Sequence, residues 1–561
     1  MKNSIKIALV GVCAVLLTSC EKFLDRDPYG STITQEQYDK MANKLEGSMR
    51  GIYSMMYTVT DHDEFGKRSI DMYTDLLSGD MALTNHNYGW FYTDENGQTA
   101  TARTSYVWSY YYGMLRNVNS LLGSAQGDIK EGEKNPIRRV AKYGLPNKLG
   151  KDSNKDEVYY KISDSGDTVA VWTESEAEVA YFYAQALAMR GYIYSNLMML
   201  YCNTPSNVKD FKTELCFPMY DAWNMETTQG LSVMSDVYSR IEDDLYVAIM
   251  YLDAFSGIER ASKLEIDANV ARGILAYSYL NKGRTNAAST EASRDAYTKA
   301  YHYARTAIAN SSCQILPISD LYETGFNDVN NNSWMWGQAV TTETAGGLAS
   351  FFGQCDIHSY SYAWAGDTKA IDENLYNQIK NDHPFDARIG WFNDGKKNST
   401  YKLCADGKFY SAKARNTTKA DDIDREWLSD NVFMRIESMY LIAAEASFRL
   451  GNYNDAVTYL SAITDERVIE GKESEYSAYI NSLDATNLLT EIEYNWRVEL
   501  WAEGYGLMTF RRLSPDNPEV RRRGANHDGN AGSKMEVGSS YIFVMPSAEG
   551  SYNPNIEETT L

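Results

Sequence analysis

The chain of 561 residues has a formal net charge of −22 at pH 7, and it contains 43 tyrosines against 17 phenylalanines. A strongly acidic surface keeps a protein soluble and argues against nucleic acid or an anionic lipid as its ligand. The chain is far longer than the size at which disulfides become necessary. The five cysteines after residue 20 are odd in number and include no CxxC pair. Free buried thiols are therefore expected, with a Cys202–Cys216 bridge as the alternative.

Residues 1–19 have the pattern of an export signal. Lys2 and Lys6 supply a basic start, and an apolar run over residues 7–17 follows them. That run is too short to cross a bilayer, which takes about 20 apolar residues. We therefore predict a signal peptide that is removed, not a membrane-spanning helix.

The end of this signal resembles the bacterial lipobox. In that motif the signal is cut before a cysteine and the cysteine is acylated, and here the residues are Leu17-Thr18-Ser19-Cys20. Acyl chains hold a soluble body firmly at a membrane surface. We predict Cys20 as the lipid attachment point of a single mature body over residues 20–561, with the lipid as its only membrane contact. An ordinary secretory signal with an incidental cysteine is the alternative.

Four stretches have the composition of packed helices. The first is apolar nearly all round, as a helix buried between others would be. The last resembles the tetratricopeptide pattern, in which small residues let two helices approach closely and a glycine, here Gly451, ends the first of them. We predict an all-α fold, an α-solenoid scaffold with tetratricopeptide-like helix pairs. The four stretches are residues 180–201, 268–281, 296–309 and 434–463.

Long polar stretches between the helices predict a loop-rich half with short β-hairpins. The segment "DEVYYKISDSGDTVAVW" indicates one such hairpin with a Ser-Gly-Asp turn. Loops of this length are usually functional or disordered, and these carry many aromatic residues, which disordered segments tend to lack. We therefore expect ordered surface loops. They cover residues 130–176, 327–362 and 394–426.

The sequence contains no visible catalytic or cofactor motif. It has no HExxH, no GxSxG, no Walker loop and no GxGxxG after a strand, and its six histidines are dispersed without metal-ligand spacing. We predict a protein that is not an enzyme, that needs no cofactor and whose site holds no metal. A carboxylate pair for glycoside hydrolysis leaves no sequence signature, so a lipid-anchored glycoside hydrolase is an alternative.

Aromatic residues in irregular loops are the candidate ligand-binding residues. The C–H faces of sugars pack on aromatic rings, and their hydroxyls need amide or charged partners; peptides could use the same surface. The richest loop is "NHNYGWFYTDENGQ" over residues 85–98, where Trp90 is expected to be presented to a ligand. Three loops compete with it, "SWMW", "HSYSYAW" and "RIGWF". The predicted site residues are Tyr88, Trp90, Phe91, Asn96, Trp334, Trp336, Tyr362 and Trp364.

A stretch near the C-terminus resembles a family motif. Residues 495–513, "NWRVELWAEGYGLMTFRRL", are similar to the R-x-x-E-L-x-x-E-G-x-R-x-x-D-L-R-R stretch of the SusD/RagB family of surface lipoproteins. Gly506 and Thr509 stand where the family has Arg and Asp. The segments "FLDRDPYGSTITQEQY", "TSYVWSYYYGMLRNVNSLL" and "IFVMPSAEGSYNPNI" also resemble family segments, so the resemblance covers almost the whole mature chain. The matching motif residues are Glu499, Leu500, Glu503, Gly504, Arg511 and Arg512, together with Arg497, which stands one residue closer to Glu499 than the arginine of the pattern.

The physical interpretation of these motifs is mostly structural. Glu499 and Glu503 are expected one helical turn apart, and Gly504 is expected to end their helix. An aromatic stripe at helical spacing is core by default, so Trp108 and its neighbours in the second segment are predicted to be buried.

The resemblance implies a cell-surface lipoprotein of the outer membrane. Such a protein binds a nutrient and delivers it to a TonB-dependent transporter of the SusC type, whose barrel it caps like a lid. The resemblance also implies one body with an N-terminal part to about residue 260 and a C-terminal part from about residue 261. The family's best-known glycan binders carry a ligand-stacking tryptophan loop where residues 85–98 lie, so a glycan is favoured. Part of the family binds peptides, and an oligopeptide receptor is the alternative.

Overall fold

The computed structural model describes ten segments of the chain: residues 44–92, 101–127, 135–257, 263–283, 291–357, 360–396, 399–409, 428–516, 520–536 and 541–556. The predicted signal peptide, Cys20 of the lipid anchor and Asn96 of the predicted site lie outside these segments.

Helices form most of the described structure, which confirms the predicted mostly helical fold. The helices of the N-terminal half are α1 (Lys44–Met55), α2 (Lys67–Leu77), α3 (Thr101–Gly127), α4 (Pro136–Tyr143), α5 (Glu174–Tyr201), α6 (Met234–Ala254) and α7 (Ala268–Lys282). The remaining helices are α8 (Glu291–Asn310), α9 (Ile318–Thr324), α10 (Phe351–Cys355), α11 (Glu373–Asp382), α12 (Asp406–Phe409), α13 (Ile436–Arg449), α14 (Tyr453–Thr464), α15 (Glu473–Ile480), α16 (Leu488–Glu499), α17 (Gly506–Leu513) and α18 (Ser547–Tyr552).

Three successive helix pairs form the scaffold. Helix α5 packs against α6, α7 against α8 and α13 against α14, while the contacts of α6 with α7 and of α8 with α13 join one pair to the next. In the third pair Ala443 and Ala456 are fully buried, as close helix packing requires. Gly451 turns the chain between these helices at φ +82°, which glycine adopts without steric cost. The predicted tetratricopeptide-like pairs are confirmed.

Within the described segments, four small sheets pack around this scaffold. The three-stranded meander contains the predicted hairpin, whose strands pair Tyr159 with Trp172. Strands β1 (Met81–Leu83) and β8 (Lys369–Ile371) pair across almost 300 residues of sequence, with Met81 opposite Ile371. The strands are β1 (Met81–Leu83), β2 (Lys148–Lys151), β3 (Glu157–Ile162), β4 (Thr168–Thr173), β5 (Leu215–Pro218), β6 (Leu231–Val233), β7 (Trp334–Gln338), β8 (Lys369–Ile371) and β9 (Asn431–Arg435).

A large hydrophobic core runs beneath the helices and the loops of the described segments. It includes Trp108 and Leu115 of α3, as the helical stripe predicts, and Tyr112 packs against it. Cys202 and Cys216 are both buried and free.

The family motif lies in a buried cluster of charged side chains. The Glu499 carboxylate is fully buried and accepts hydrogen bonds from the guanidinium groups of Arg388, Arg435 and Arg467. Arg435 also donates to Glu503, which accepts a further bond from Lys408. The motif therefore has the structural role that its helical spacing indicates.

One detail of the motif differs from the prediction. Helix α16 ends at Glu499, before Gly504, so Glu499 and Glu503 do not share a helix. Ala502 in the intervening turn has φ +62°, and this turn brings both carboxylates onto Arg435. The cluster of cations beneath the turn, and not the i, i+4 spacing, places the two carboxylates.

Candidate functional site

The pairing of β1 with β8 brings two aromatic loops together. The loop after β1 and the loop before β8 leave the same end of an antiparallel pair, so they continue side by side. The Thr84 amide donates to the Thr368 carbonyl at 2.8 Å, and the Asn87 amide donates to the Gly366 carbonyl at 3.0 Å. Two segments that are remote in the sequence, residues 84–92 and 360–368, thereby form one surface.

A buried carboxylate fixes the shape of the first loop. Asp367 is fully buried and accepts hydrogen bonds from the main-chain amides of Tyr88 (2.8 Å) and Trp90 (3.3 Å). Phe91 follows with φ +66° and points into the core, where its ring centroid lies 5.0 Å from that of Tyr73. The prediction that Phe91 contacts a ligand is wrong, because the side chain is 1% exposed and anchors the loop instead.

Four of the predicted residues do form a cluster, with Tyr362 at its centre. The Tyr362 ring makes edge contacts with Tyr88 and Trp90 at centroid distances of 5.3 and 5.9 Å. Trp364 packs against Tyr360 at 5.7 Å, and the hydroxyl of Tyr360 lies beside Tyr88 and raises its pKa. We call Tyr88, Trp90, Tyr360, Tyr362 and Trp364 the aromatic surface.

The members of the aromatic surface differ in exposure. Tyr88 and Tyr360 are each 53% exposed, and Trp364 is 49% exposed. Trp90 is half-buried, and its ring lies 5.4 Å from that of His62. Trp364 is therefore the tryptophan with the more open ring, whereas Trp90 supports the surface from below.

A chain of hydrogen bonds supports the surface from within. The Tyr362 hydroxyl is hydrogen-bonded to His62 Nδ1 at 2.8 Å, and the His62 carbonyl accepts from Gln354 at 2.8 Å. The other side of the Gln354 amide accepts from the ammonium group of Lys369 at 2.6 Å. Burial lowers the pKa of Lys369 to about 8. The sequence offered no signal for His62 or Gln354, because their spacing to the aromatic loops is long and irregular.

A polar cleft of about 660 Å³ adjoins the aromatic surface, with Trp364 in its wall. Its carboxylates are engaged, since Glu373 pairs with Lys402 at 3.1 Å and Asp528 pairs with His86. The Tyr401 hydroxyl donates to the Trp364 carbonyl at 3.1 Å and fixes the edge between cleft and surface. The cleft thus offers hydroxyls, amides and charges beside exposed rings. Its other polar wall residues include Thr84, Asn85, Asn87, Thr400 and Asn526.

Trp334 and Trp336 are not part of this site, and their prediction is wrong. They belong to strand β7, in which all five residues are buried, and they are 0% and 1% exposed. Trp334 donates its indole N–H to the Gly325 carbonyl at 2.6 Å, and Trp336 packs on Tyr192 and Phe433. A strand buried on both faces lacks alternation, which is why "SWMW" was indistinguishable from an irregular loop. Trp391 of the competing "RIGWF" loop is also fully buried.

The described segments show neither a metal-binding cluster nor a membrane-spanning helix. They contain no group of three or more His, Cys, Asp or Glu side chains placed to hold a metal ion. Over the same residues, no helix combines the length and the apolarity needed to cross a membrane.

Solved structures with this fold include proteins from Bacteroides species. A SusD-like carbohydrate binding protein from Bacteroides vulgatus ATCC 8482 is 20% identical, with a TM-score of 0.62 over 92% of this chain and 97% of that chain. A SusD superfamily protein from Bacteroides thetaiotaomicron VPI-5482 is 17% identical, with a TM-score of 0.64 over 92% and 98%. A structure with xylogluco-oligosaccharide is 15% identical, with a TM-score of 0.54 over 91% and 97%.

These structural likenesses establish the fold, and the family is established by sequence. No curated protein matches the chain. The family of SusD matches it over residues 273–557, which is more than half of its length and includes the motif in the buried charged cluster. The chain belongs to the SusD family.

Proposed function

We propose that this SusD-family chain is a lipid-anchored protein of the outer-membrane surface that binds a glycan and passes it to a SusC-like TonB-dependent transporter. The observation that carries the proposal is the aromatic surface beside the polar cleft. Exposed rings such as Trp364 offer flat apolar faces for sugar C–H groups, and the cleft offers hydrogen-bonding partners for sugar hydroxyls. The carbohydrate-binding relative from Bacteroides vulgatus supports the choice of ligand class.

The test compares two exposed tryptophans. Trp364→Ala removes a ring from the aromatic surface, whereas Trp223→Ala removes a ring that is 71% exposed and lies outside it. Removing a stacking aromatic costs about 1–3 kcal/mol in nucleic-acid binders, and on that scale Trp364→Ala should weaken binding by roughly 5- to 150-fold. The purified chain is screened against polysaccharides and peptides, and the best ligand is titrated calorimetrically into both variants.

The three outcomes separate the candidate functions. Glycan binding that is weakened by Trp364→Ala and unchanged in Trp223→Ala supports the proposal. Binding of peptides in place of glycans would identify an oligopeptide receptor. Equal ligand affinities of the Trp364→Ala and Trp223→Ala variants would mean that the aromatic surface is not part of the binding site.

We further propose that the ligand is bound without turnover. Glycosidases place two carboxyl groups on either side of the bond to be cleaved, and one of them must act as an acid. In the cleft, Glu373 contacts Lys402 and Asp528 contacts His86, so each of the two carboxyl groups is already engaged by a protein side chain. Incubation of the purified chain with the glycan that it binds best should release no hydrolysis product. Product release that is abolished by Glu373→Gln would instead support the glycoside hydrolase.

The transport partner is tested on membranes. Tagged chain purified from detergent-solubilised outer membranes of the native host should retain a TonB-dependent transporter, identified by mass spectrometry. Recovery of the chain without any such transporter, under conditions that preserve other outer-membrane complexes, would contradict the proposed delivery step.

A further inference from the structure

A second polar cleft lies beside helix α11 and has no part in the aromatic surface. Its volume is about 720 Å³. It begins where the first cleft ends, because Glu373 lines the first cleft and Asn374 lines the second. The Asn374 amide donates to the Arg522 carbonyl at 3.1 Å, so the segment that contains Arg522 crosses the start of α11 and separates the two. We call this second cavity the α11 cleft.

One wall of the α11 cleft is a row of carboxamides. Asn374, Asn377, Gln378 and Asn381 stand at positions i, i+3, i+4 and i+7 of the helix and therefore share one face. Each carboxamide can donate and accept hydrogen bonds at once. Within the described segments, the side-chain amides of Asn377, Gln378 and Asn381 form no hydrogen bond with the protein. Thr486 and Thr490 line the same cleft.

The floor of the cleft contains a buried carboxylate. Glu493 of α16 is 7% exposed, lines the cleft and forms no hydrogen bond with the described residues. Burial raises the pKa of Glu493, and the charges of Arg497 and Arg521 only partly offset this effect. Both arginines pair with Asp80, so they do not neutralise Glu493 directly. The Glu493 carboxylate is open to the cleft, so a ligand that enters the cleft can donate a hydrogen bond to it.

The chemistry of the cleft selects a neutral polyhydroxylated ligand. The carboxamides and threonines can both donate and accept hydrogen bonds, and the carboxylates of Glu493 and Asp382 accept them; vicinal hydroxyls match both kinds of group. Val520 is the exposed apolar side chain among the lining residues, so hydrophobic ligands find little to contact. We propose that the α11 cleft is a second sugar-binding site, which holds a sugar unit between the carboxamides of α11 and the Glu493 carboxylate. The proposal rests on the groups of this cleft and stands independently of the aromatic surface.

The test isolates this cleft by saturation-transfer NMR. The probes are the methyl glycosides of glucose, galactose, mannose and xylose, each offered to the full chain carrying Trp364→Ala. In that background, the double variant Asn377→Ala/Asn381→Ala removes two exposed side-chain amides. Lys380→Ala is the matched control, since Lys380 is exposed on the same helix but does not line the cleft. Because none of these positions is buried, all variants should fold.

We expect at least one glycoside to bind the Trp364→Ala chain. Its affinity should fall about tenfold in the double variant, since two hydrogen bonds of ordinary strength are lost, and should be unchanged in the control. Glu493→Gln should also weaken binding of the same glycoside. No binding of any glycoside in the Trp364→Ala background, or an unchanged affinity in the double variant, would overturn the proposal. Stronger binding of the dipeptide Gly-Gly than of any glycoside would overturn it as well, because an ammonium group would then be the partner of Glu493.

Discussion

The substitution Glu499→Gln should destabilise the fold more than almost any other single change of charge. The Glu499 carboxylate accepts from Arg467 twice at 3.0 Å, from Arg435 at 3.1 Å and from Arg388 at 3.2 Å. These three cations and Lys408 are balanced by four carboxylates, Asp386, Glu437, Glu499 and Glu503, all of them buried. The substitution leaves this cluster with one uncompensated positive charge, and it replaces an acceptor oxygen by an amide donor that faces arginine.

The expected loss follows from that imbalance. Removing one partner of a buried ion pair costs about 3–5 kcal/mol, because the remaining charge stays desolvated. The control is Glu475→Gln, which removes a side chain that is 50% exposed and pairs with Lys472 at 3.6 Å. A surface pair of this kind contributes about 0–1 kcal/mol.

Urea unfolding followed by tryptophan fluorescence measures both variants. The midpoint should fall strongly for Glu499→Gln and hardly for Glu475→Gln, with similar slopes of free energy against urea. A loss below about 1 kcal/mol for Glu499→Gln at an unchanged slope would refute the reasoning, since it would mean that the cluster tolerates a missing charge.

Three further predictions concern separate parts of the chain. Although burial alone would lower the pKa of His383, its hydrogen bond to Glu491 and the charge of Glu491 raise the pKa above 6.5. A raised histidine pKa contributes stability that is present below the ordinary value and is lost as the pH rises through the folded-state value, so Glu491→Gln should lower the melting temperature more at about pH 5.5 than at about pH 9. Phe91→Ala should cost about 3–5 kcal/mol in urea unfolding, whereas Tyr88→Ala should change stability little; equal effects would contradict the division between anchor and surface. Cys20→Ala should release the chain from the membrane fraction or block its processing, and unchanged attachment on fractionation, with no transporter present, would exclude lipidation at Cys20.

The helical scaffold was predictable because its signals are local. Three local patterns each indicate how a short segment packs: small residues at helix contacts, the Leu450-Gly451 turn, and a helix that is apolar on all sides. The candidate site was only partly predictable, since aromatic residues in irregular segments have no period that separates core from surface. Trp334 and Trp364 stand in similar sequence contexts, yet β7 buries the first and a loop presents the second.

The contacts that form the candidate site join residues that are far apart in the sequence, so the sequence alone does not reveal them. Tyr88 and Tyr362 come into contact because β1 pairs with β8. The sequences of these two three-residue strands do not indicate that they pair with each other. Asp367 likewise holds the first loop from a position 277 residues or more away in the sequence. The sequence therefore indicates both loops of the aromatic surface, but it does not separate them from the buried "SWMW" and "RIGWF" segments or show which rings are exposed.

Gly506 stands where the family motif has an arginine, and contacts with the end of helix α2 explain this difference. The buried carboxylate of Asp75 accepts from the main-chain amides of Gly504 at 3.2 Å and Gly506 at 2.9 Å. A Cβ atom at position 506 would lie 2.7 Å from Asp75 Oδ1 and 2.6 Å from Ser78 Oγ, so the arginine of the family pattern could not stand there without displacing these two side chains. Burial raises the pKa of Asp75 to about 7 even with both amides bonded to it, as expected of a carboxyl that has no cationic partner. At this turn the chain therefore uses main-chain hydrogen bonds where the family pattern has a charged side chain, while Glu499 and Glu503 keep their arginine partners one turn away.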